Sequence, residues 1–182
     1  MNARIESLQL IETACWREIE RAAREREHPW RAMVLATVDG ECAQARIVVL
    51  REVHAAAREL LFYTDDRSPK LAQMTSAPKG SLLLWSQPLG WQVRLRVHLE
   101  ALSDGLEVSS RWARLKLSPA AQDYLSPMAP GTPLGRPGNE RGARDYFAVV
   151  SARVEAMDWL ELHADGHRRA VFDGQGARWV QP

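Results

Sequence analysis

Apolar residues recur at three- and four-residue steps from Ile5 through Leu8, Ile11, Cys15 and Ile19, with arginine and glutamate between them as far as Glu27. That period predicts an amphipathic helix filling segment 1–28, stopped by His28-Pro29. A β-branched apolar run follows, Met33 to Val38, ending at Asp39-Gly40, a strong hairpin signal. Cys42 to Arg51 reads as the return strand, and Glu59 to Thr64 as a third strand after a charged, alanine-rich connection. Ser68-Pro69 opens a short helix, with serine at the cap and proline at the first position, which should end near Ala77-Pro78. Ser81 to Ser86 and Trp91 to Leu102 form a hairpin across Gln87-Pro88-Leu89-Gly90. Residues 106–125 are helix-prone with a break at Ser118-Pro119, and 127–142, rich in proline and glycine, reads as a long loop or lid. Three closing strands are expected, Tyr146 to Glu155, Trp159 to Ala164 and His167 to Phe172, the last two joined by a tight turn at Asp165-Gly166.

Six or more short antiparallel strands and a few helices, without βαβ alternation, favour a small closed barrel over a doubly wound sheet. With 182 residues, 46% of them hydrophobic, the chain can bury a core of its own and is expected to be a single domain spanning 1–182.

Composition narrows the function. Twenty-four basic against 23 acidic residues leave a formal charge of +1, which disfavours nucleic acid or an anionic membrane as partner and makes any anion site local. No stretch approaches the roughly 18 apolar residues that span a bilayer, and no signal-peptide pattern opens the chain, so a cytoplasmic location is expected. Two cysteines, Cys15 and Cys42, cannot form a disulfide framework or a multi-cysteine metal site. His163 and His167 flank a turn, so helical metal-ligand spacing does not apply, and no metal is expected. Neither GxGxxG nor GxxxxGK occurs, so a bound phosphate must be gripped by side chains and turn amides.

Two segments suit that task. Arg46-Ile47-Val48-Val49-Leu50-Arg51 puts cations near both ends of an otherwise apolar strand, where a buried arginine needs an anion. Phe62-Tyr63-Thr64-Asp65-Asp66-Arg67-Ser68-Pro69-Lys70 ends a strand in hydroxyl-bearing residues and starts a helix, so amides, a serine hydroxyl and an ammonium can converge on the same oxygens. Ser68 reads equally well as a plain helix cap.

The succession R-I-V-V-L-R, F-Y-T-D-D-R-S-P-K and L-L-L-W-S-Q-P-L-G-W-Q-V-R-L-R over residues 31–102 resembles the pyridoxamine 5′-phosphate oxidase family, whose corresponding runs are R-x-V-L-L-K, F-Y-T-N-x-x-S-x-K and a tryptophan-bearing strand leading to R-Q-V-R. Near the C-terminus, Trp159 and His167-Arg168-Arg169 are similar to the family's tryptophan and H-x-R ending. The resemblance implies a mainly β chain with some α, an antiparallel split β-barrel binding flavin mononucleotide (FMN), with peripheral helices, working as a homodimer with the flavin at the subunit interface. By the same resemblance Arg46, Lys70 and Ser68 hold the flavin phosphate, Ile47, Val48, Val49 and Arg51 line the cofactor along their strand, and Tyr63 and Thr64 meet it through backbone or hydroxyl. Gln92 reaches the ring edge, while Trp159 and Arg169 arrive from the neighbouring chain, Arg169 on the pyrimidine side. Taken alone, Trp159 also reads as a core aromatic and Arg169 as a solvated strand cation. Of the seven tryptophans, Trp85 and Trp91 are the ones expected near the ring.

Four departures from the family pattern matter. Pro69 stands where the phosphate grip has a second arginine, which removes a donor and makes Arg67 the expected stand-in. Arg51 matches the family's substrate lysine and exchanges an ammonium for a planar fork. The tyrosine, arginine and serine that grip substrate phosphate have no counterpart after Leu102, and Asp165 replaces the arginine of R-L-H. These point to a flavoprotein oxidoreductase acting on a small substrate other than pyridoxamine phosphate. Two rival expectations are a flavin- or haem-binding module without turnover, with His28, His54, His98, His163 and His167 as the possible haem ligands, and a flavin-free dimeric interaction domain.

Overall fold

The computed structural model describes residues 4–136, 138, 140–142 and 145–182. The N-terminal helix, α1, is Leu8–Arg24, capped by the Ser7 hydroxyl, which accepts the Leu10 amide at 3.4 Å. It buries Ile11, Ala14, Cys15, Ile19 and Ala22 at the spacing the sequence shows and packs on the sheet against β2 and β8. Burial pushes the Cys15 thiol well up, away from reactivity.

Eight strands form one antiparallel sheet: β1 (Ala32–Asp39), β2 (Cys42–His54), β3 (Glu59–Asp65), β4 (Lys79–Ser86), β5 (Trp91–Leu102), β6 (Phe147–Glu161), β7 (Arg168–Asp173) and β8 (Gly176–Val180). The order is β3-β2-β1-β4-β5-β6-β7-β8, and β3 also pairs with β6, so the first six strands close on themselves while β7 and β8 extend from β6. Hairpin turns sit where expected. Gly40 has φ 59°, and Gly90 has φ 64° with Leu162 O only 2.6 Å from where a Cβ would stand.

Inside the closed sheet, Met33, Leu35, Leu50, Phe62, Leu84, Leu95 and Trp159 are fully buried. Each such side chain contributes about 1.5–3 kcal/mol on leaving water. β3 is buried on both faces: Leu60 and Phe62 face the barrel core, while Leu61 joins Val108, Tyr124, Phe147 and Val149 beneath α3 (Gly105–Leu115) and the 3₁₀ turn Pro119–Tyr124. That explains its unbroken apolar run.

Two expectations are corrected. The segments foreseen as separate strands, 146–155 and 159–164, form the single strand β6, because a bulge accommodates Glu155: Arg96 pairs with Ala156 and Val97 with Val154. An eighth strand, β8, was not foreseen. The described residues of 127–142 form neither helix nor strand; 137 and 139 lie outside the description.

Candidate functional site

Alternation along β2 turns Arg46, Val48 and Leu50 toward the barrel interior and Ile47 and Val49 away from it. At the end of the barrel where β1 and β2 meet, the start of α2 (Pro69–Ser76) closes over Arg46. The guanidinium donates Nη1 to Thr37 Oγ1 and Nη2 to Gln73 Oε1 at 2.9 Å. Thr37 passes its own proton to Gln73 Oε1 at 2.7 Å, and Gln73 Nε2 donates to Asp39 Oδ2 at 3.2 Å. Lys70 Nζ donates to Thr64 Oγ1 at 2.7 Å and to Ser68 Oγ at 2.6 Å.

Three features define this cluster. Arg46 and Lys70 are both partly buried, and among the described residues neither makes an ion pair. Burial, then the charge of Arg46, holds the Lys70 ammonium below the usual lysine range, and burial likewise lowers Arg46. The Thr64 and Ser68 hydroxyls accept from Lys70, and among the described residues neither donates to a protein group, so their protons remain available to an incoming oxygen. Ser68 makes no side-chain cap bond. A multiply charged anion rich in acceptor oxygens, such as a phosphate monoester, answers all three: it neutralises both cations and accepts both hydroxyl protons.

Other anticipated residues lie elsewhere. Arg67, expected to replace the donor lost at Pro69, is engaged with Asp65 (Nε to Oδ1 3.0 Å, Nη2 to Oδ2 2.7 Å), donates to the Ser126 and Pro127 carbonyls and stacks 3.2 Å from the Tyr146 ring centroid. It fastens the start of the proline- and glycine-rich segment. Tyr63 points away from Thr64, packs on Phe147 with centroids 4.9 Å apart, and donates its hydroxyl to Glu52 Oε1 at 2.6 Å. Burial and that carboxylate hold the phenol well above its usual value, so only its backbone is free to meet a ligand.

Val48 is buried, whereas Ile47 is 62% exposed on the outer face of the sheet. Across that face the register aligns Ile47, Val34, Leu83, Arg94, Asp158 and Val171 in one row, with Trp85, Gln92, Leu160 and Arg169 in a neighbouring row. Arg169 therefore sits where a molecule lying on the outer face can meet it, but Asp158 holds it side-on, Nε to Oδ1 at 2.9 Å and Nη2 to Oδ2 at 2.7 Å, while also binding Arg94. Burial alone would raise the Asp158 pKa; the two guanidiniums outweigh it and hold the carboxyl below its usual range.

Trp159 lies apart from this face. It pairs with Ala170, on the opposite face from Arg169, and is 0% exposed, edge-on to Trp91 (5.5 Å) and Trp179 (6.3 Å). It is a core residue of its own chain. Trp91 is buried with it, leaving Trp85, 43% exposed, as the tryptophan next to Gln92 on the outer face.

Of the residues the sequence named, the structure joins Arg46, Thr64, Ser68 and Lys70; it adds Thr37, Asp39 and Gln73, which the motif reading missed. No group of three or more histidine, cysteine or acidic side chains placed to hold a metal occurs among the described residues, and none of their helices is long and apolar enough to cross a membrane.

Comparison with known proteins bears on the same region. The family model described as pyridoxamine 5′-phosphate oxidase, FMN-binding domain, matches residues 13–103. The pyridoxine/pyridoxamine 5′-phosphate oxidase of Myxococcus xanthus is 30% identical over 169 residues, covering 81% of this chain and 78% of that protein. Among solved structures, a pyridoxamine 5′-phosphate oxidase-related, FMN-binding protein from Nostoc punctiforme superposes with a TM-score of 0.74 at 22% identity, covering 93% of this chain and 96% of the other. PhzG from Burkholderia lata, solved with tetrahydrophenazine-1-carboxylic acid, gives 0.73 at 18% identity over 100% of this chain and 99% of its own. These two structural likenesses speak to the fold.

Proposed function

The chain belongs to the pyridoxamine 5′-phosphate oxidase, FMN-binding domain family, and from that membership we propose that it is an FMN-dependent oxidoreductase working as a homodimer on a small substrate other than pyridoxamine phosphate. The observation that carries the reading is the Arg46–Lys70 cluster, two partly buried cations that make no ion pair among the described residues, beside two hydroxyls with protons to give. That donor set fits the phosphate of FMN.

FMN, when bound, supplies hydride or electron transfer, so the protein needs no nucleophile of its own. The chain's residues do the remaining work. Lys70, Ser68 and Thr64 grip the phosphate, and Arg46, braced by Thr37 and Gln73, adds the second charge. With Pro69 carrying no donor and Arg67 engaged elsewhere, the grip lacks one charge-assisted hydrogen bond, which lowers affinity by about tenfold or more.

The outer face supplies the rest. Val34, Ile47, Leu83 and Trp85 make it apolar, with Ile47 and Trp85 the most exposed of them. Covering this strip with a second copy removes apolar surface from water and brings Gln92 and Arg169 of one subunit toward the flavin held by the other. There the Arg169 cation favours the anionic reduced ring.

The test is an absorbance spectrum of the purified protein between about 300 and 500 nm with mass identification of what heat releases, repeated on the Arg46→Ala, Lys70→Ala double variant. Paired flavin bands, FMN in the released fraction and a colourless double variant are expected. A double variant that stays yellow at full occupancy overturns the reading.

A further inference from the structure

β2 breaks register between Leu50 and Glu52, so Arg51 falls at a bulge and is turned out of the ladder. Its guanidinium stands over the Tyr63 ring at 5.7 Å and its charge acts on the Tyr124 phenol, while its Nε has no hydrogen-bond partner. It lines a cavity of about 820 Å³ together with Pro29, Arg31, Val49, Ser118 and Pro119. Resting on the flavoenzyme reading above, we propose that this cavity holds the substrate through a carboxylate, so that the substrate class is a small aromatic carboxylic acid rather than a phosphate ester.

Charge selects an anion: Arg26, Arg31 and Arg51 line the cavity against one carboxylate, Glu27. Arg31 is fixed by Nη1, which donates to the Ala23 carbonyl at 2.8 Å and the Ala22 carbonyl at 3.3 Å at the end of α1. Burial, then the charge of Arg51, lowers its pKa, so the two cations repel each other at the same cavity. Among the described residues neither Arg31 nor Arg51 makes an ion pair. An anion between them removes that repulsion.

Donor supply selects the kind of anion. A phosphate ester presents three oxygens and is best met by several donors from different directions, as at Lys70, where two hydroxyls keep their protons. At the Arg51 cavity the hydroxyl and imidazole donors are spent. Ser118 Oγ gives its proton to the Leu115 carbonyl at 2.8 Å. His28 accepts the Trp30 amide at Nδ1 (3.2 Å) and faces Glu18 with Nε2 (3.1 Å), so neither nitrogen is left for a ligand. What remains are guanidinium groups without hydroxyl donors beside them, and a guanidinium fork takes the two coplanar oxygens of a carboxylate side-on. Apolar walls at Pro29, Val49 and Pro119 suit a flat ring behind it.

The experiment is isothermal titration calorimetry of the full-length, FMN-loaded protein with benzoate and with phenyl phosphate, two probes sharing one ring. Benzoate is expected to bind about tenfold or more tightly, to lose about tenfold or more in Arg51→Gln, which keeps a polar side chain without the charge, and to lose its advantage in Arg51→Lys. Phenyl phosphate binding as tightly as benzoate, neither probe binding, or benzoate binding Arg51→Gln unchanged each overturns the proposal. The flavin spectrum separates the two readings: a yellow protein that prefers phenyl phosphate sinks only the carboxylate assignment. A colourless protein that prefers benzoate through Arg51 sinks the flavoenzyme reading while the anion preference stands.

Discussion

Asp158 holds Arg169 side-on through two hydrogen bonds, at 2.9 and 2.7 Å, and binds Arg94 with the same carboxylate. If Arg169 tunes a flavin across the subunit interface, Asp158 moderates how much positive charge the ring feels. Asp158→Asn removes that moderation. The reduction potential of bound FMN is expected to rise by on the order of tens of millivolts, the scale of one unit charge acting through an effective dielectric near 20. Equilibrium reduction against a reference dye measures it, and an unchanged potential would place Arg169 away from the ring.

If Lys70 grips the flavin phosphate as proposed, it sets a pH limit with a defined sign. Its folded-state pKa is lowered by burial and by Arg46, so it loses its proton at a lower pH than a free lysine does. FMN affinity should therefore fall on the alkaline side at a lower pH than an ordinary lysine would impose, as titrated by quenching of FMN fluorescence. The unliganded protein should behave oppositely: between the lowered and the ordinary pKa the unfolded chain binds more protons, so stability rises with pH across that window. Lys70→Met should abolish both trends; a Lys70→Met protein with the wild-type pH profile of affinity excludes Lys70 from the grip.

Much of this geometry is legible in the sequence, and the exceptions have physical causes. The three- and four-residue period of α1 and the double-sided apolar run of β3 translate directly into burial, because each element's periodicity is also its packing pattern. The clustering of Arg46, Ser68 and Lys70 is readable because motif order carries them. Gln73 was not, because a polar residue three positions after Lys70 on a short helix looks like solvent-facing surface until β1 closes against it. β8 was hidden because Gly176-Ala177-Arg178-Trp179-Val180 has no clean alternation and is held by its pairing with β7. Parity explains Trp159: the hairpin pairs Leu160 with Arg169, so residues 159 and 169 point to opposite faces.

Gln73 braces Arg46 from inside the barrel end, and the variant Gln73→Met keeps its bulk while removing its hydrogen bonds. Thr37 and Arg46 lose an acceptor and Asp39 loses a donor. A cost of about 1–3 kcal/mol is expected for leaving such buried groups unmatched, read by urea unfolding. FMN affinity should fall as well, since Arg46 is no longer held in place. Full affinity in a destabilised Gln73→Met protein would mean that Arg46 needs no brace.

Trp159 offers a clean separation of core from cofactor contact. Its ring is fully enclosed by its own chain, packed edge-on to Trp91 and Trp179, and its indole N–H has no hydrogen-bond partner. Trp159→Ala should cost about 3–5 kcal/mol through the cavity it leaves. Trp159→Phe should cost less, below about 2 kcal/mol, because the smaller ring keeps much of the packing and no longer buries an unmatched donor. Since no part of the side chain reaches the surface, FMN affinity in Trp159→Phe should stay within about twofold of wild type, whereas removing a ring that stacks on a ligand costs about tenfold or more. Unfolding and FMN titration on the same Trp159→Phe preparation decide it: lost stability with intact affinity marks a core residue, and intact stability with lost affinity returns Trp159 to the flavin.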